Sequence, residues 1–197
     1  MIPKVLKRKV TPLFKGGDSL SPTCYRPISV TPLLGKVLEK TCYLRLSRYL
    51  YRQEVPAKRQ FGFKENSSTA VALVQVLDKL YKGCDSGKRC GVLFGDFSKA
   101  FDLVNHNILL QKLEHYGVRG NALQWFKLYL TSCTQSVENG EVLSSNVPIT
   151  CGIPQGGNIS TLLFSTFIND ITRLKLYGNI FLFADDACNV IIANNDE

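Results

Sequence analysis

Three aspartates at the ends of two apolar segments are the residues of this sequence best suited to chemistry. Asp96 follows the apolar run at 91–95, and Asp185 and Asp186 follow a second run at 180–184. Ionised carboxylates beside a hydrophobic core are costly unless they are paired with a cation or bound to metal. Mg²⁺ prefers oxygen ligands and commonly takes one or two carboxylates together with substrate phosphates. The pattern therefore predicts a site for two divalent ions of the kind that catalyses nucleotidyl transfer.

The adjacent pair of aspartates is weak evidence when it is taken alone. Asp is common in turns whatever their function, and neighbouring residues of a strand face opposite sides of a sheet. Asp185 and Asp186 can therefore share a metal site only where the chain turns between two strands. Their apolar flanks and the separate Asp96 favour a metal site at a hairpin tip. Asp102, six residues after Asp96, is open to three roles: a metal ligand, a cap, or a partner of Lys99.

The segment after Asp96 and a glycine-rich loop contain the candidate nucleotide contacts. Phe101 is open to two interpretations: an ordinary core aromatic, or a wall beside the sugar of an incoming nucleotide that would exclude a 2′-hydroxyl. The loop at 150–157 contains three glycines and a proline, and such glycines let a backbone approach a ligand closely. Gln155, which lies between Pro154 and Gly156, presents a neutral amide to a nucleobase or sugar edge. The alternative interpretation of this loop is a plain connector.

The basic residues are concentrated in the first third of the chain. Residues 1–64 hold 14 Lys and Arg against 3 Asp and Glu, although the net charge of the whole chain is only +8. A basic surface attracts nucleic-acid phosphates through counterion release. Lys15 and Arg26 are candidates to bind a triphosphate, since Arg is a bidentate phosphate ligand and Lys a point charge. Lys64 is a candidate for the template backbone. Each of these residues could instead be an ordinary surface charge.

Composition places the chain among intracellular globular proteins. Its 197 residues, 45% apolar and 20% charged, suffice for one domain, or one domain with a small subdomain. No apolar run reaches the roughly 18 residues of a transmembrane segment, and the N-terminal residues lack the apolar core of a signal peptide. Seven scattered cysteines without a CxxC pair indicate reduced thiols and not a zinc site. We expect localisation to the nucleus, the cytoplasm or both, with no membrane association.

The hydrophobic pattern predicts which helices and strands position these residues. Predicted helices lie at 33–50, 68–81 (capped by Ser67 or Ser68), 105–116, 120–130 and 159–173. Predicted strands lie at 90–95, at 134–150 in a hairpin through Asn139-Gly140, and on both sides of the aspartate pair, the second at 187–193. Loops and short strands are predicted over 1–32, and a polar loop over 51–66. His106 is expected to start a helix, and His115 to lie on the surface near its end.

Five segments, in this order, resemble the reverse transcriptase of non-LTR (LINE-type) retrotransposons over almost the whole chain. The two N-terminal matches are Tyr25-Arg-Pro-Ile-Ser29, followed by Leu38-Glu39-Lys40, and Gln60-Phe-Gly-Phe63. The three remaining matches are Asp96-Phe-Ser-Lys-Ala-Phe-Asp102, Gly152-Ile-Pro-Gln-Gly156 and Phe183-Ala-Asp-Asp186. Five motifs in the family's order make a very specific signal.

The resemblance implies an α+β polymerase right-hand fold, with fingers and a palm whose antiparallel sheet is backed by helices. Residues 1–90 would be mainly fingers and residues 91–197 mainly palm, within a single reverse transcriptase domain. Because the sequence continues for only eleven residues after Asp186, the resemblance further suggests a truncated fragment that lacks the thumb. The implied activity is RNA-directed DNA polymerisation, which uses two Mg²⁺ ions, with Mn²⁺ as a possible substitute. The implied partners are an RNA template, a DNA or RNA primer and a deoxynucleoside triphosphate.

The resemblance also implies roles for individual residues. The catalytic, metal-binding residues would be Asp96, Asp185 and Asp186. The nucleotide-binding residues would be Phe97, Phe101, Gln155, Arg26 and Lys15, and the template-binding residues would be Lys64, Gly152 and Pro154. Phe101 matches the position that selects the sugar.

Three positions depart from the family's pattern. Gly157 and Thr161 stand where the family usually has Ser and Pro, and Cys133 stands where it often has Arg. Two other functions therefore stay open at this point. One is a catalytically inactive remnant that binds nucleic acid, and the other is an RNA-templated RNA polymerase of viral type. The second usually carries Gly-Asp-Asp and lacks an aromatic residue at the position of Phe101.

Overall fold

The computed structural model of the protein describes residues 8–174 and 176–194. The chain divides into two compact units, each built from two stretches of sequence. The first unit combines the chain up to Tyr49 with Phe101–Phe164, and the second combines Leu50–Ala100 with the chain from Ser165 onward. The predicted division into fingers and palm at residue 90 stays a prediction.

Five α-helices and eight strands make up the described part of the chain. The helices are α1 (Leu33–Arg52), α2 (Thr69–Asp85), α3 (His106–His115), α4 (Gly120–Thr131) and α5 (Ser160–Ile168). The strands are β1 (Arg8–Phe14), β2 (Tyr25–Val30), β3 (Arg89–Asp96), β4 (Thr134–Asn139), β5 (Val142–Leu143), β6 (Val147–Pro148), β7 (Asn179–Phe183) and β8 (Asp186–Ala193). No helix in residues 8–174 and 176–194 is long and apolar enough to cross a bilayer.

The second unit contains a three-stranded antiparallel sheet in the order β3-β8-β7. Helix α2 contacts all three strands, and Val76 of this helix is buried in a cluster with Phe61, Phe181 and Val190. The predicted antiparallel sheet backed by a helix is therefore confirmed in this unit. Helix α2 is capped by Ser68, whose hydroxyl accepts a hydrogen bond from the backbone N–H of Val71 at 3.3 Å.

The first unit contains a sheet in the order β2-β1-β4-β5, with β6 paired to β4. Strands β1 and β2 form an antiparallel hairpin, whereas β1 and β4 run parallel, with Arg8 opposite Gln135 and Val10 opposite Val137. The sequence predicts the hairpin of β4 and β5 through Gly140, which is observed, but not the parallel pairing. Parallel partners lie far apart in sequence and leave no local turn signal.

A buried carboxylate fastens helix α1 to the rest of the first unit. Glu39 is 1% exposed, yet neither of its oxygens lacks a partner. Its Oε1 accepts a hydrogen bond from the hydroxyl of Tyr129 at 3.0 Å, and its Oε2 accepts one from the backbone N–H of Asn158 at 3.0 Å. Burial of this charge is tolerated because both ends of the carboxylate are hydrogen-bonded.

The predicted helix at 159–173 is confirmed, but it changes from α-helical to 3-10 geometry in its second half. The α-helix ends at Ile168, and Asn169–Arg173 forms a 3-10 helix. The buried side chain of Asn169 accepts a hydrogen bond from the backbone N–H of Ala57 at 2.6 Å. An Asn side chain that bonds a remote backbone group competes with regular helical geometry, and this contact is invisible to local sequence patterns.

A short segment near the start of the second unit holds the hairpin between β7 and β8. Gln60 is fully buried and makes an isolated parallel bridge to Leu182. Its Oε1 accepts hydrogen bonds from the backbone N–H groups of Gly62 at 2.8 Å and of Ala184 at 3.3 Å. Phe61 N–H also donates to the Leu182 carbonyl at 2.8 Å. The predicted polar loop at 51–66 therefore contains a short strand-like segment that is hydrogen-bonded to the hairpin.

We predict that Gly62→Ala destabilises the protein by about 1–3 kcal/mol, the usual cost of overpacking. A Cβ at position 62 would overlap the backbone nitrogen of Ala184, and a backbone atom cannot move aside as a flexible side chain can. Urea unfolding followed by circular dichroism measures the change. The control is Gly91→Ala in β3, where an added Cβ meets nothing within 4 Å. Equal midpoints for the two variants would contradict the prediction.

We also predict that Glu39→Gln lowers the free energy of unfolding by about 1–3 kcal/mol. The amide of the new side chain would turn an N–H toward one of two groups that now donate to Glu39, and would leave that donor unsatisfied. Glu114→Gln makes the same chemical change at an exposed position of α3 and should alter stability by less than about 0.5 kcal/mol. Thermal unfolding of both variants checks the difference, and comparable losses would refute the role given to Glu39.

Candidate active site

The register of the second unit's sheet brings the predicted catalytic aspartates to one end of the sheet. Asp96, the last residue of β3, is the cross-strand partner of Asp186, the first residue of β8. Side chains of directly opposed residues lie on the same face, about 4.5–5.5 Å apart at Cβ. Asp185 precedes Asp186 in the turn, and its carbonyl accepts a hydrogen bond from the backbone N–H of Phe97 at 3.3 Å. The three aspartates are therefore neighbours, although 89 residues separate Asp96 from Asp185 in the sequence.

The turn that carries Asp185 is as tight as the sequence predicts. Phe183 pairs with Asp186, which leaves only Ala184 and Asp185 to reverse the chain. Ala184 has φ of +57°, a conformation that non-glycine residues rarely adopt. Such a backbone persists only where its surroundings hold it. Here Gln60 accepts the hydrogen bond of the Ala184 N–H, and Gly62 leaves room for the turn.

The three carboxylates suit a hard divalent cation by their chemistry and exposure. Asp96 and Asp186 are exposed and Asp185 is half-buried, and neither of the ion pairs among the described residues involves them. Carboxylate oxygens without a protein cation beside them are the donors that Mg²⁺ prefers. Within residues 8–174 and 176–194, no three His, Cys, Asp or Glu side chains converge closely enough to hold a metal ion. Metal binding by Asp96, Asp185 and Asp186 therefore stays a prediction.

Phe97 and Lys64 also belong to the second unit. Phe97 follows directly after β3 and keeps 39% of its surface exposed. Its backbone is tied to Asp185, as described above. Lys64 is half-buried and lies two residues after Gly62. Their predicted contacts with nucleotide and template stay predictions.

In the first unit, the glycine-rich loop is fastened to the segment that follows Phe101. Gly152 N–H donates to the Val104 carbonyl and Ile153 N–H donates to the Phe101 carbonyl, both at 2.8 Å. The buried His106 places its Nε2 at 2.7 Å from the carbonyl oxygen of Gly152. His106 does start a helix, as predicted, and His115 ends it on the surface. The additional contact of His106 with the loop is one that sequence reasoning missed.

Gln155 and Asp102 contact each other. The Gln155 Nε2 donates a hydrogen bond to Asp102 Oδ1 at 2.9 Å, and the Gln155 carbonyl accepts one from Ser29 N–H at 2.8 Å. Helix α3 is capped by Asn105, so the capping role considered for Asp102 is wrong. Asp102 instead orients the amide of Gln155, whose contact with a nucleobase or sugar stays a prediction.

Phe101 packs against a core aromatic. Its ring lies 4.5 Å from the ring of Phe164, centroid to centroid, with an interplanar angle of 17°. Phe164 is 1% exposed, and Phe101 is half-buried. The interpretation of Phe101 as a core aromatic therefore holds for the ring face that stacks on Phe164. Contact of this side chain with a sugar stays a prediction.

Arg26 and Lys15 lie at the same end of the β1–β2 hairpin. Arg26 pairs with Leu13 in the antiparallel register, and the backbone N–H of Lys15 donates to the Cys24 carbonyl at 2.9 Å. Both side chains are exposed, so they are accessible to phosphate groups. Their predicted contact with a triphosphate stays a prediction.

A cavity of about 240 Å³ in the first unit is bordered by the glycine-rich loop. Gly152, Pro154 and Gln155 contribute to its wall, together with Asp102, Ser29 and Arg8. The two predicted template residues, Gly152 and Pro154, are both buried. Their predicted contact with a template stays a prediction.

Comparison with known proteins agrees with the motifs. The family described as "Reverse transcriptase (RNA-dependent DNA polymerase)" matches residues 8–197. A probable RNA-directed DNA polymerase from the X-element transposon of Drosophila melanogaster is 30% identical over 183 residues, which are 88% of this chain and 19% of that protein. The RNA-directed DNA polymerase from the mobile element jockey of Drosophila funebris is 33% identical over 159 residues, which are 79% of this chain and 17% of that protein. The chain therefore spans less than a fifth of these relatives.

Solved structures show the same fold at low sequence identity. An apo telomerase from Candida tropicalis, truncated from its C-terminal domain, has a TM-score of 0.67 with 15% identity and covers 98% of this chain and 45% of that one. A Candida albicans telomerase solved with a fragment of telomeric RNA has a TM-score of 0.66 with 13% identity and covers 97% of this chain and 38% of that one. The predicted α+β polymerase fold is confirmed.

The motifs, the fold and the family match agree along nearly the whole described chain. The predicted resemblance to the reverse transcriptases of non-LTR retrotransposons is confirmed, since the curated relatives are proteins of such elements and two of them are described as RNA-directed DNA polymerases. This chain therefore belongs to the reverse transcriptase (RNA-dependent DNA polymerase) family.

Proposed function

We propose that this chain forms the nucleotidyl-transfer core of a non-LTR retrotransposon reverse transcriptase. The observation that carries the proposal is the register of β3 and β8, which sets Asp96 opposite Asp186 beside the turn that contains Asp185. A cluster of exposed carboxylates at a sheet end is costly in itself, because like charges oppose each other. It is useful where divalent ions and polyanionic substrates must meet.

The proposed reaction extends a primer that is paired to an RNA template. The primer 3′-oxygen forms a bond to the α-phosphorus of a deoxynucleoside triphosphate, the bond between that phosphorus and the leaving oxygen breaks, and pyrophosphate is released. Asp96, Asp185 and Asp186 would hold two divalent ions, Mg²⁺ or Mn²⁺, which when bound lower the pKa of the primer hydroxyl and neutralise the leaving charge. The chain's contribution is mainly positioning and electrostatic stabilisation.

The other site residues would orient the substrates. Arg26 and Lys15, exposed at one hairpin end, would bind the triphosphate, with Arg26 able to make two parallel hydrogen bonds. Phe101 would face the sugar, and Phe97 and Gln155 would border the nucleotide. Lys64, Gly152 and Pro154 would contact the template. The Candida albicans telomerase in the comparison was solved with telomeric RNA, which supports an RNA strand as partner of this fold.

The proposed setting is intracellular, in the nucleus, the cytoplasm or both. All seven cysteines are free thiols, a state that reducing compartments maintain. Burial raises the pKa of the Cys133 thiol, which favours its protonated, unreactive form. Fluorescence microscopy of the tagged chain would test this location.

We predict that Asp96→Asn and Asp186→Asn each reduce primer extension on an RNA template by at least about 100-fold, since electrostatic groups of an active site contribute on that scale. Single-turnover extension with Mg²⁺ measures the rate, and electron paramagnetic resonance of Mn²⁺ measures metal binding, which both variants should weaken. The control is Asp78→Asn, which removes an exposed carboxylate paired with Lys82 on α2. Normal extension by the Asp96 variant, or no extension by the unaltered chain, would contradict the proposal.

We predict that Phe101→Val raises ribonucleotide incorporation relative to deoxynucleotide incorporation by about tenfold or more, as expected when a steric contact in a binding site is removed. The ratio of the two rates is the readout, because loss of packing on Phe164 would lower both rates together. Phe126→Val, which truncates a buried aromatic of the same unit, is the matched control and should leave the ratio unchanged. An unchanged ratio in the Phe101 variant would leave this residue with a packing role only.

A further inference from the structure

Arg8 is an unusual residue for the interior of a protein. It begins β1, and its side chain is only 2% exposed, whereas the next residue, Lys9, is exposed and pairs with Glu138 at 2.7 Å. Alternation along the strand turns Arg8 and Val10 inward and Lys9 outward. Arginine is almost never fully buried without a partner. A buried arginine therefore calls for a group that compensates its charge.

The protein supplies only part of that compensation. The Arg8 guanidinium carbon lies 4.7 Å from the ring centroid of Tyr129, a cation–π contact. Burial strongly raises the pKa of Tyr129, and Glu39 raises it further against the opposing charge of Arg8, so the ring is a neutral phenol. Yet Nε and Nη2 of Arg8 are buried and have no hydrogen-bond partner. Leaving buried charged donors unsatisfied is costly.

No acidic side chain of the described residues forms an ion pair with Arg8. The two ion pairs found among residues 8–174 and 176–194 join Lys9 to Glu138 and Lys82 to Asp78. Glu39 is buried nearby and hydrogen-bonds the same tyrosine, so its charge balances part of that of Arg8, but its oxygens accept from Tyr129 and Asn158 and not from Arg8. The Nε and Nη2 donors of Arg8 therefore stay unsatisfied, which is costly for buried charged groups. An external anion that accepts hydrogen bonds from both donors would remove that cost.

The two unsatisfied donors have the right arrangement for an oxyanion. Nε–H and the adjacent N–H of Nη2 lie side by side on one edge of the planar guanidinium. This edge can donate two parallel hydrogen bonds to two oxygens of a phosphate or carboxylate group. A lysine at the same place would offer only a point charge.

Arg8 also borders the 240 Å³ cavity of the first unit. Ser29, Gln135 and Gln155 add polar groups to the wall, and Asp102 adds a carboxylate whose Oδ1 already accepts from Gln155. Pockets for whole drug-sized ligands run from about 300 to 1,000 Å³. The cavity therefore suits a single anionic group better than an entire nucleotide.

We propose that this cavity binds a phosphate group, with the Nε–Nη2 edge of Arg8 as its main ligand. The choice of phosphate over carboxylate rests on the proposed function, because a polymerase's substrates and its pyrophosphate product all carry phosphate. The group belongs either to a nucleic-acid backbone or to a free phosphate or pyrophosphate. The shared chemistry is a tetrahedral oxyanion that meets a preformed, desolvated arginine.

The test is isothermal titration of the full chain with inorganic pyrophosphate, in the presence of EDTA to exclude metal-mediated binding. Saturable binding is expected, and Arg8→Met should weaken it by about tenfold or more, the loss that removal of a charge-assisted pair produces. Lys9→Met removes the same charge from the exposed neighbour and should leave affinity within about threefold. Arg8→Gln, which keeps a polar side chain, repeats the test in case the Met variant does not fold.

A second titration identifies the source of the phosphate. A short single-stranded RNA that displaces pyrophosphate, and binds Arg8→Met more weakly, assigns the site to a strand. Pyrophosphate binding that RNA leaves unaffected assigns it to the free anion. The proposal is overturned if the unaltered chain and both Arg8 variants bind pyrophosphate with equal affinity. No binding by the unaltered chain overturns it as well.

The same measurements separate this inference from the proposed polymerase function. The Asp96→Asn chain should bind pyrophosphate as the unaltered chain does in EDTA, since Asp96 belongs to the other compact unit. If the unaltered chain binds pyrophosphate through Arg8 but does not extend a primer, only the polymerase proposal is contradicted. If the unaltered chain extends a primer normally but the Arg8 variants bind pyrophosphate as tightly as it does, only the phosphate-site proposal is contradicted.

Discussion

The pairing register of β3 with β8 is the constraint on which the candidate chemistry depends. Eight successive pairs run from Arg89 opposite Ala193 to Asp96 opposite Asp186. Because side chains alternate along a strand, a slip of one residue would move every side chain of one strand to the other face. The carboxylates would then lie on opposite sides of the sheet. Buried Val190 of β8, packed in the core beneath α2, opposes such a slip because it would have to leave that core.

Segments remote in sequence hold both candidate functional loops in place. Residues 59–62 bond to the hairpin of β7 and β8 in one unit, and residues 101–106 bond to the glycine-rich loop in the other. In each case much of the fastening comes from backbone hydrogen bonds, supported by one buried polar side chain, Gln60 or His106. Functional loops need such support because a geometry that is loose by an ångström loses much of its catalytic power. The motifs are therefore paired in the structure, since each loop that contains candidate site residues is held by a second motif remote in sequence.

Sequence patterns predict the elements of this fold better than they predict its contacts. Periodicity predicts α1, α3 and α4 to within about two residues, because their apolar faces repeat locally. It cannot predict that Asn169 ends α5 by bonding Ala57, or that Gln155 bonds Asp102, since 112 and 53 residues separate these partners. The same difference applies to the candidate site residues. The aspartates can be recognised from the sequence because they follow apolar strands, whereas the buried Arg8 lies in a basic segment and resembles an ordinary surface charge.

The exposed aspartates do not contribute to stability through their charges. Asp96 and Asp186 are like charges in directly opposed positions, an arrangement that weakens a sheet. They have no ion pair with a described cationic side chain. A divalent cation would reverse the sign of the interaction, because each carboxylate would then be attracted to the ion between them. The pair is thus unfavourable for folding by itself, and bound metal would make it favourable, which is the balance that the proposed function requires.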